Sequence, residues 1–310
     1  MRELLRRRAR VRVLAKRPPR SGAGSIGEAD LVLGDVTDRL CTDRAVGKAS
    51  RVIHLAAIVR STPQEAEAMR VNVGGTENVL RSCLQAGVRS LVHVSSGAAV
   101  SFGAGGTKDE RSIVPRAGRL PPYARSKLLA ERAVESAARE GLHASIVYPT
   151  RVFGIGPLDE SNMPTVVLRA YLRGRFRLLP GGGRDWANWA YVRDVAAGIV
   201  DAALRAGRCE RYILGGENAT LKRFFDLAGS IAGRRRTMVN VPHTFGRALA
   251  SLEELRAAAA HGSPRLTRAW YDTVFEDARQ SSAKAERELA YSVTPLNQAL
   301  EEIIPWLRSL

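Results

Sequence analysis

The chain has 310 residues, 45% hydrophobic and 25% charged, with 48 basic against 31 acidic side chains for a net charge of +17. This balance suits a globular enzyme of one large or two modest domains and excludes collagen-like, disulfide-scaffold and wholly disordered chains. No run of about 18 apolar residues occurs, and the Arg-rich start lacks the apolar segment of a signal peptide; a cytoplasmic protein with no membrane span is expected. Cys41, Cys83 and Cys209 are odd in number, far apart and free of any CxxC pair, so they read as reduced thiols and no metal site is expected. The basic excess is nearly all arginine, lysine standing only at 16, 48, 108, 127, 222 and 284. With no zinc finger, RNP-like segment or aromatic-interleaved basic stripe, that excess reads as surface composition and no nucleic-acid partner is expected.

In chain order, residues 1–10 look like the tail of a helix. Strand patterns follow at 11–14, 31–33, 52–55, 90–94 and 144–148, with helix patterns at 64–87 and 123–140, the second opened by Pro121-Pro122 and closed by Gly141. Such alternation predicts a parallel, doubly wound α/β sheet. After about residue 157 the pattern loosens into helices broken by Gly and Pro, with one more strand pattern at 212–214. The expected division is a dinucleotide-binding domain over 1–157 and a smaller, mainly helical substrate lobe over 158–310, with segments around 188–218 returning to the sheet. The alanine run 257–260 reads as one side of a surface helix.

Tyr123 and Lys127 stand in Tyr-Ala-Arg-Ser-Lys, a spacing that puts both on one helical face. A phenol titrates near pH 10 and needs a nearby cation to act as a proton donor or acceptor at neutral pH; Lys127 can supply that cation. Upstream, an apolar strand ends in Val94-Ser95-Ser96-Gly97, placing hydroxyls at the carboxyl edge, where doubly wound folds bind ligands. Earlier still come Gly34-Asp35-Val36-Thr37-Asp38, His54-Leu55-Ala56-Ala57 and Asn72-Val73-Gly74-Gly75-Thr76. The order and spacing of these five elements resemble the extended short-chain dehydrogenase/reductases, or NAD-dependent epimerase/dehydratase family. Tyr148-Pro149-Thr150, the 188–196 and 212–218 segments and Ser282–Tyr291, with Ala290 where the family usually has Gly, extend the likeness nearly to the end of the chain.

The resemblance implies a Rossmann-type fold in which Tyr123 is the general acid/base, Lys127 lowers its pKa and holds the nicotinamide ribose, and Ser96 bonds the substrate oxygen, with Ser95 as the alternative. It implies further that Asp35 and Val36 meet adenine, that Leu55, Ala56 and Ala57 line the adenosine and pyrophosphate groove, that Asn72 belongs to the cofactor site, and that Pro149 and Val152 lie by the nicotinamide. Hydride transfer at a carbonyl or secondary alcohol is the implied chemistry. Plainer structural roles stand beside these. Asp35 can be a turn cap, His54 a strand residue facing the core, Asn72 a stitch between strand and helix, and Arg193 with Asp194 an exposed ion pair.

Family members open with a strand and a Gly-x-x-Gly-x-x-Gly turn that binds pyrophosphate; nothing of that kind precedes Val11. About 20–25 residues of a βα unit are therefore expected to be missing, by a start codon internal to a longer gene, leaving the second strand either to pair directly with the fourth or to lie in a destabilised lobe. At the end of the second strand the chain reads Leu14-Ala15-Lys16-Arg17. Cations there accommodate a 2′-phosphate, so NADP is expected over NAD. Ser96 is followed by Gly97 and Ala98 rather than the Asp-Glu pair of dehydratases. The pattern is similar to dihydroflavonol reductases and hydroxysteroid dehydrogenases and also to hopanoid-associated sugar epimerases. It implies a small ketone, alcohol or nucleotide-sugar substrate, with a non-catalytic dinucleotide-binding paralogue as a further reading. A homodimer is implied, packed through the Tyr–Lys helix at Leu128, Leu129, Ala133 and Val134.

Overall fold

The structure is a computed structural model that describes residues 1–18, 29–59, 65–97, 100–102, 106–115, 122–260, 264, 267–268, 271–272, 275 and 278–310; Ala98 and Pro121, singled out above, lie outside these. In chain order the elements are α1 (Arg2–Arg6), β1 (Arg12–Ala15), β2 (Asp30–Leu33), α2 (Arg39–Val46), β3 (Arg51–His54), α3 (Glu65–Ala68), α4 (Gly75–Ala86), β4 (Ser90–Val94), β5 (Val100–Phe102), β6 (Ile113–Pro115) and α5 (Pro122–Arg139). Then come β7 (Ala144–Pro149), β8 (Arg151–Phe153), α6 (Met163–Leu172), β9 (Leu178–Pro180), β10 (Trp186–Tyr191), α7 (Val192–Arg205), β11 (Arg211–Leu214), β12 (Glu217–Thr220), α8 (Leu221–Ile231), β13 (Val239–Val241), α9 (His243–Ala259), α10 (Ala283–Leu289) and α11 (Leu296–Arg308).

The main sheet runs β11-β7-β4-β3, every pair parallel. Its strands are short β-branched runs with both faces covered, as parallel sheets require. On one face α4 and α5 bury Val79, Leu80, Val134 and Ala137 against Leu91, Ile146 and Tyr148. On the other, α7 and α10 close over Val92, Val147 and Leu214. The strands at 11–14 and 31–33 form as β1 and β2, a separate parallel pair. Direct pairing of β1 with β3 does not occur among the described residues: β1 bonds only to β2, and β3 only to β4. The β1–β2 pair is instead held by α2, which packs on both strands and on α4, where Ser82 Oγ donates to Asp43 at 2.6 Å. Arg7, just past α1, bridges to Asp201 of α7 at 2.6 and 2.9 Å.

The helix expected over 64–87 is divided. Between α3 and α4, residues Met69–Gly74 form a wide π turn, and Thr76 Oγ1 donates to the Asn72 carbonyl at 2.6 Å. Wide turns of this type concentrate at functional sites; this one aims Asn72 at α5. The lobe beyond residue 157 carries more strand than its pattern implied. It joins β8, which precedes residue 157, in the sheet β12-β10-β8 and adds the ribbon β13-β9; the sheet packs on Phe153, Trp189 and Phe224, with Trp189 stacked on Phe224 at 4.0 Å. These strands run to three to six residues and lack the continuous β-branched runs that mark a strand in sequence. Within 188–218, α7 and β11 return to the main sheet while β10 stays in the small one. Gly154 marks the crossing at φ 145°, where a Cβ would sit 2.3 Å from Val192, so only glycine fits.

Candidate active site

The carboxyl end of β4 and the first turns of α5 meet over the sheet. Beyond Val94 the chain turns through Ser95-Ser96-Gly97, and a Cβ on Gly97 would lie 3.6 Å from the Pro149 carbonyl. The hydroxyl-bearing turn is thereby set beside the end of β7. The two serines separate in role. Ser95 is buried and its Oγ donates to Glu131, whereas Ser96 hydrogen-bonds the Tyr123 phenol.

Tyr123, Lys127 and Glu131 follow one another at four-residue spacing along α5. Lys127 is 3% exposed and its ammonium donates to the Val94 carbonyl at 2.6 Å. Burial brings its pKa down to about 8, with Glu131 opposing the fall. The Tyr123 phenol is pushed up, by burial, with the Ser96 bond working the other way. The expected lowering of the Tyr123 pKa by Lys127 is therefore not found: the ammonium is committed to Val94, and desolvation of the phenol dominates. Glu131 was not singled out in the sequence, although its spacing from Lys127 was there to read. It accepts from Ser95 and from Tyr148 Oη, the latter at 2.8 Å, and burial raises its own pKa.

Behind this line His54 and His93 face each other across β3 and β4, ring centroids 5.4 Å apart. His54 faces the core as expected, 2.9 Å from Thr76 Oγ1, and burial lowers its pKa to about 3. Both ring nitrogens of His93 lack a hydrogen-bond partner among the described residues.

The remaining residues follow β1, β2, β3 and β7 or stand on the wide turn before α4. Asn72, 1% exposed, receives the Ile58 N–H at 2.7 Å and donates to Ser126 Oγ at 2.8 Å, tying the segment after β3 to α5. Asp35 accepts from the Thr37 N–H at 3.0 Å and pairs with Lys16 at 3.1 Å; its pKa is lowered, first by that backbone bond. Val36 packs on Gly75, where a Cβ would approach within 2.7 Å. Leu55 is 60% exposed, Ala56 exposed and Ala57 half-buried, while Pro149 and Val152 are half-buried and Arg17 exposed. Arg193 and Asp194 do not pair with each other. Arg193 bridges to Glu302 and Asp194 accepts from Thr294 N and Oγ1 at 2.7 and 2.8 Å, because the first turn of α7 faces the segment leading into α11.

A doubly wound parallel sheet with a Tyr–Lys helix over its carboxyl edge defines an enzyme of the extended short-chain dehydrogenase/reductase type. A model of the NAD dependent epimerase/dehydratase family matches residues 1–215, and the chain belongs to that family. A protein of Synechocystis, provisionally named dihydroflavonol 4-reductase, is 31% identical over 317 residues, covering 100% of this chain and 90% of that protein. The crystal structure of gox2253 superposes with a TM-score of 0.82 at 31% identity, covering 99% of this chain and 93% of the other. The fold is shared with the UDP-glucose 4-epimerase of Thermotoga maritima, solved with UDP-glucose, at TM-score 0.79 and 20% identity over 99% and 94% of the two chains.

Proposed function

We propose that the chain is an NADP(H)-linked reductase of a small ketone or aldehyde, with Tyr123 as proton donor, Lys127 as the cation that holds the nicotinamide ribose and Ser96 as the second ligand of the substrate oxygen. The observation that carries this reading is the hydrogen bond between Ser96 and Tyr123, one helical turn from a buried ammonium. Two hydroxyls bonded to each other over the end of the sheet can each turn a donor toward one carbonyl oxygen. Ser95 cannot share that task, since its hydroxyl is held by Glu131.

The dinucleotide, when bound, supplies the hydride. Tyr123 gives its proton to the oxygen as the C–H bond forms, and Ser96 holds that oxygen in place. Lys127, its ammonium on the Val94 carbonyl, would hold the nicotinamide ribose. Asp35 and Val36 would meet the adenine, Leu55, Ala56 and Ala57 the adenosine groove, and Pro149 and Val152 the nicotinamide ring; Asn72 anchors α5 beneath them. Lys16 and Arg17 would read a 2′-phosphate, which supports NADP over NAD; Lys16 is already drawn toward Asp35 at the end of β2. Cys41, Cys83 and Cys209 are free thiols, in keeping with a cytoplasmic enzyme. Leu128 and Leu129 are half-buried on α5 and would carry a homodimer contact. Val134 would not, being 1% exposed in the core of its own subunit.

The test follows NADPH absorbance with a panel of ketones and aldehydes. Wild type should consume NADPH, and Tyr123→Phe should lose turnover about 100-fold or more while binding NADPH nearly as well. Lys16→Ala should weaken NADPH and leave NADH unchanged. Full turnover by Tyr123→Phe removes the catalytic assignment. A nucleotide sugar converted with no net change in absorbance would make the enzyme an epimerase, and cofactor binding without any turnover a non-catalytic paralogue.

A further inference from the structure

Two surface features outside the active site meet on the substrate lobe. The first is α9. At about 100° per residue, Phe245, Leu249, Leu252 and Leu255 fall within an arc of about 120° and are 55, 49, 63 and 69% exposed. The opposite face is the packed one: Ala250 and Ala257 are buried there, and a Cβ on Gly246 would strike Tyr271. The helix thus turns its small residues inward and its large apolar residues to solvent. On the β13–β9 ribbon, whose β13 leads into α9, Val239 and Leu178 are register partners, 54 and 43% exposed. Scattered apolar residues need no explanation, but six on consecutive elements mark an interaction surface.

The second feature reaches the same β9–β13 ribbon from its other end. Arg169, Arg173, Arg234, Arg236 and Arg308 line a cavity of about 280 Å³, with no acidic residue in its wall. Among the described residues none of the five forms an ion pair. Helix ends use part of them, Arg236 donating to the Leu172 carbonyl at 2.7 Å and Arg308 to that of Ala232. Arg236 and Arg177 both crowd Gly174, which brings the cluster to the start of the β9–β13 ribbon.

We propose that this face docks on a lipid bilayer with anionic headgroups, the α9 stripe entering the headgroup boundary while the arginines meet phosphates. A bilayer is the partner that offers both chemistries side by side. A second copy would set unpaired arginines against unpaired arginines at +17 per chain, and a soluble phosphate would leave the leucines in water.

The experiment is co-sedimentation of the full chain with phosphatidylcholine vesicles, plain or containing about 30% phosphatidylglycerol. Wild type should partition at least tenfold more strongly to the anionic vesicles. Each guanidinium lost near the surface should weaken binding about fivefold, so Arg173→Gln with Arg234→Gln loses about 25-fold. Leu249→Ser with Leu252→Ser should lose about tenfold or more, with salt then removing what remains. All of these side chains are exposed or line open surface, and unchanged thermal unfolding of each variant verifies the fold. Absent or equal binding to both vesicle types overturns the proposal, as does binding that both double variants retain. Self-association abolished by the leucine variant, without vesicle binding, would assign the face to a second copy. Stabilisation by inorganic phosphate, lost in the arginine variant and again without vesicle binding, would assign the cavity to a soluble anion.

Discussion

Replacing Lys127 by methionine is expected to stabilise the protein at neutral pH. Lys127 is 3% exposed, and burial holds its ammonium at a pKa of about 8 against 10.5 in a free side chain. At about 1.4 kcal/mol per pKa unit, the folded state penalises the charged form by about 3 kcal/mol. A lysine with a depressed pKa binds fewer protons folded than unfolded between the two values. Wild-type stability therefore rises with pH from about 8 to about 10.5, and the full penalty is felt below that window. Methionine keeps the length of the side chain and removes the charge. It also strips the Val94 carbonyl of its donor at 2.6 Å, a loss of about 1 kcal/mol. The net expectation is a gain of about 2 kcal/mol near pH 7 that becomes a loss of about 1 kcal/mol near pH 10.5. Urea unfolding of both proteins at the two pH values reads the difference directly. A variant less stable than wild type near pH 7, or a difference that keeps its size and sign at both pH values, would refute the reasoning.

Three further outcomes are expected. Ala290→Gly should stabilise the fold by about 1 kcal/mol in thermal or urea unfolding, since Ala290 ends α10 at φ 58°, in the left-handed region that costs a Cβ-bearing residue about 1–2 kcal/mol; an unchanged midpoint would count against strain there. With the Tyr123 phenol pKa raised, its donor form persists through neutral pH, so the reduction rate should stay level from about pH 6 and fall only as Lys127 loses its charge at about 8. A rate that already falls with pH well below 8 would separate turnover from both groups. Asn188→Ala should destabilise by about 3 kcal/mol, because this 2% exposed amide accepts from Thr150 Oγ1 and the Gly216 N–H at 2.7 Å each and donates to the Gly216 carbonyl and Asn218 at 2.9 Å, partners that would be left buried and unsatisfied. Equilibrium unfolding of that variant decides it.

The doubly wound sheet was legible because β3, β4, β7 and β11 are short apolar runs with long amphipathic helices between them in the chain, an alternation that has few solutions. β8, β9, β12 and β13 were not, since Arg-Val-Phe, Leu-Leu-Pro, Glu-Asn-Ala-Thr and Val-Asn-Val offer no continuous β-branched run to read. Nor was the wide turn at Met69–Gly74: Val71-Asn72-Val73-Gly74-Gly75 weaken a helix, but the form the break takes answers to Asn72 reaching Ser126, a contact 54 positions away. Ala290 was different: the departure from Gly stood in the sequence, and the left-handed backbone gives it an energetic meaning.

Along α5 the same limit appears within a single helix. Four-residue spacing put Tyr123, Lys127 and Glu131 on one face, so the alignment was readable, but the protonation of each depends on what β4 and β7 present to it. Ser96 meets the first, the Val94 carbonyl the second, and Ser95 with Tyr148 the third. All three groups are moved toward their uncharged forms by burial. A helix face that carried them only for stability would gain by replacing them with apolar residues. Their retention beneath the hydroxyls at the sheet's edge is the physical argument that this face is kept for chemistry, at a cost which the Lys127→Met comparison measures.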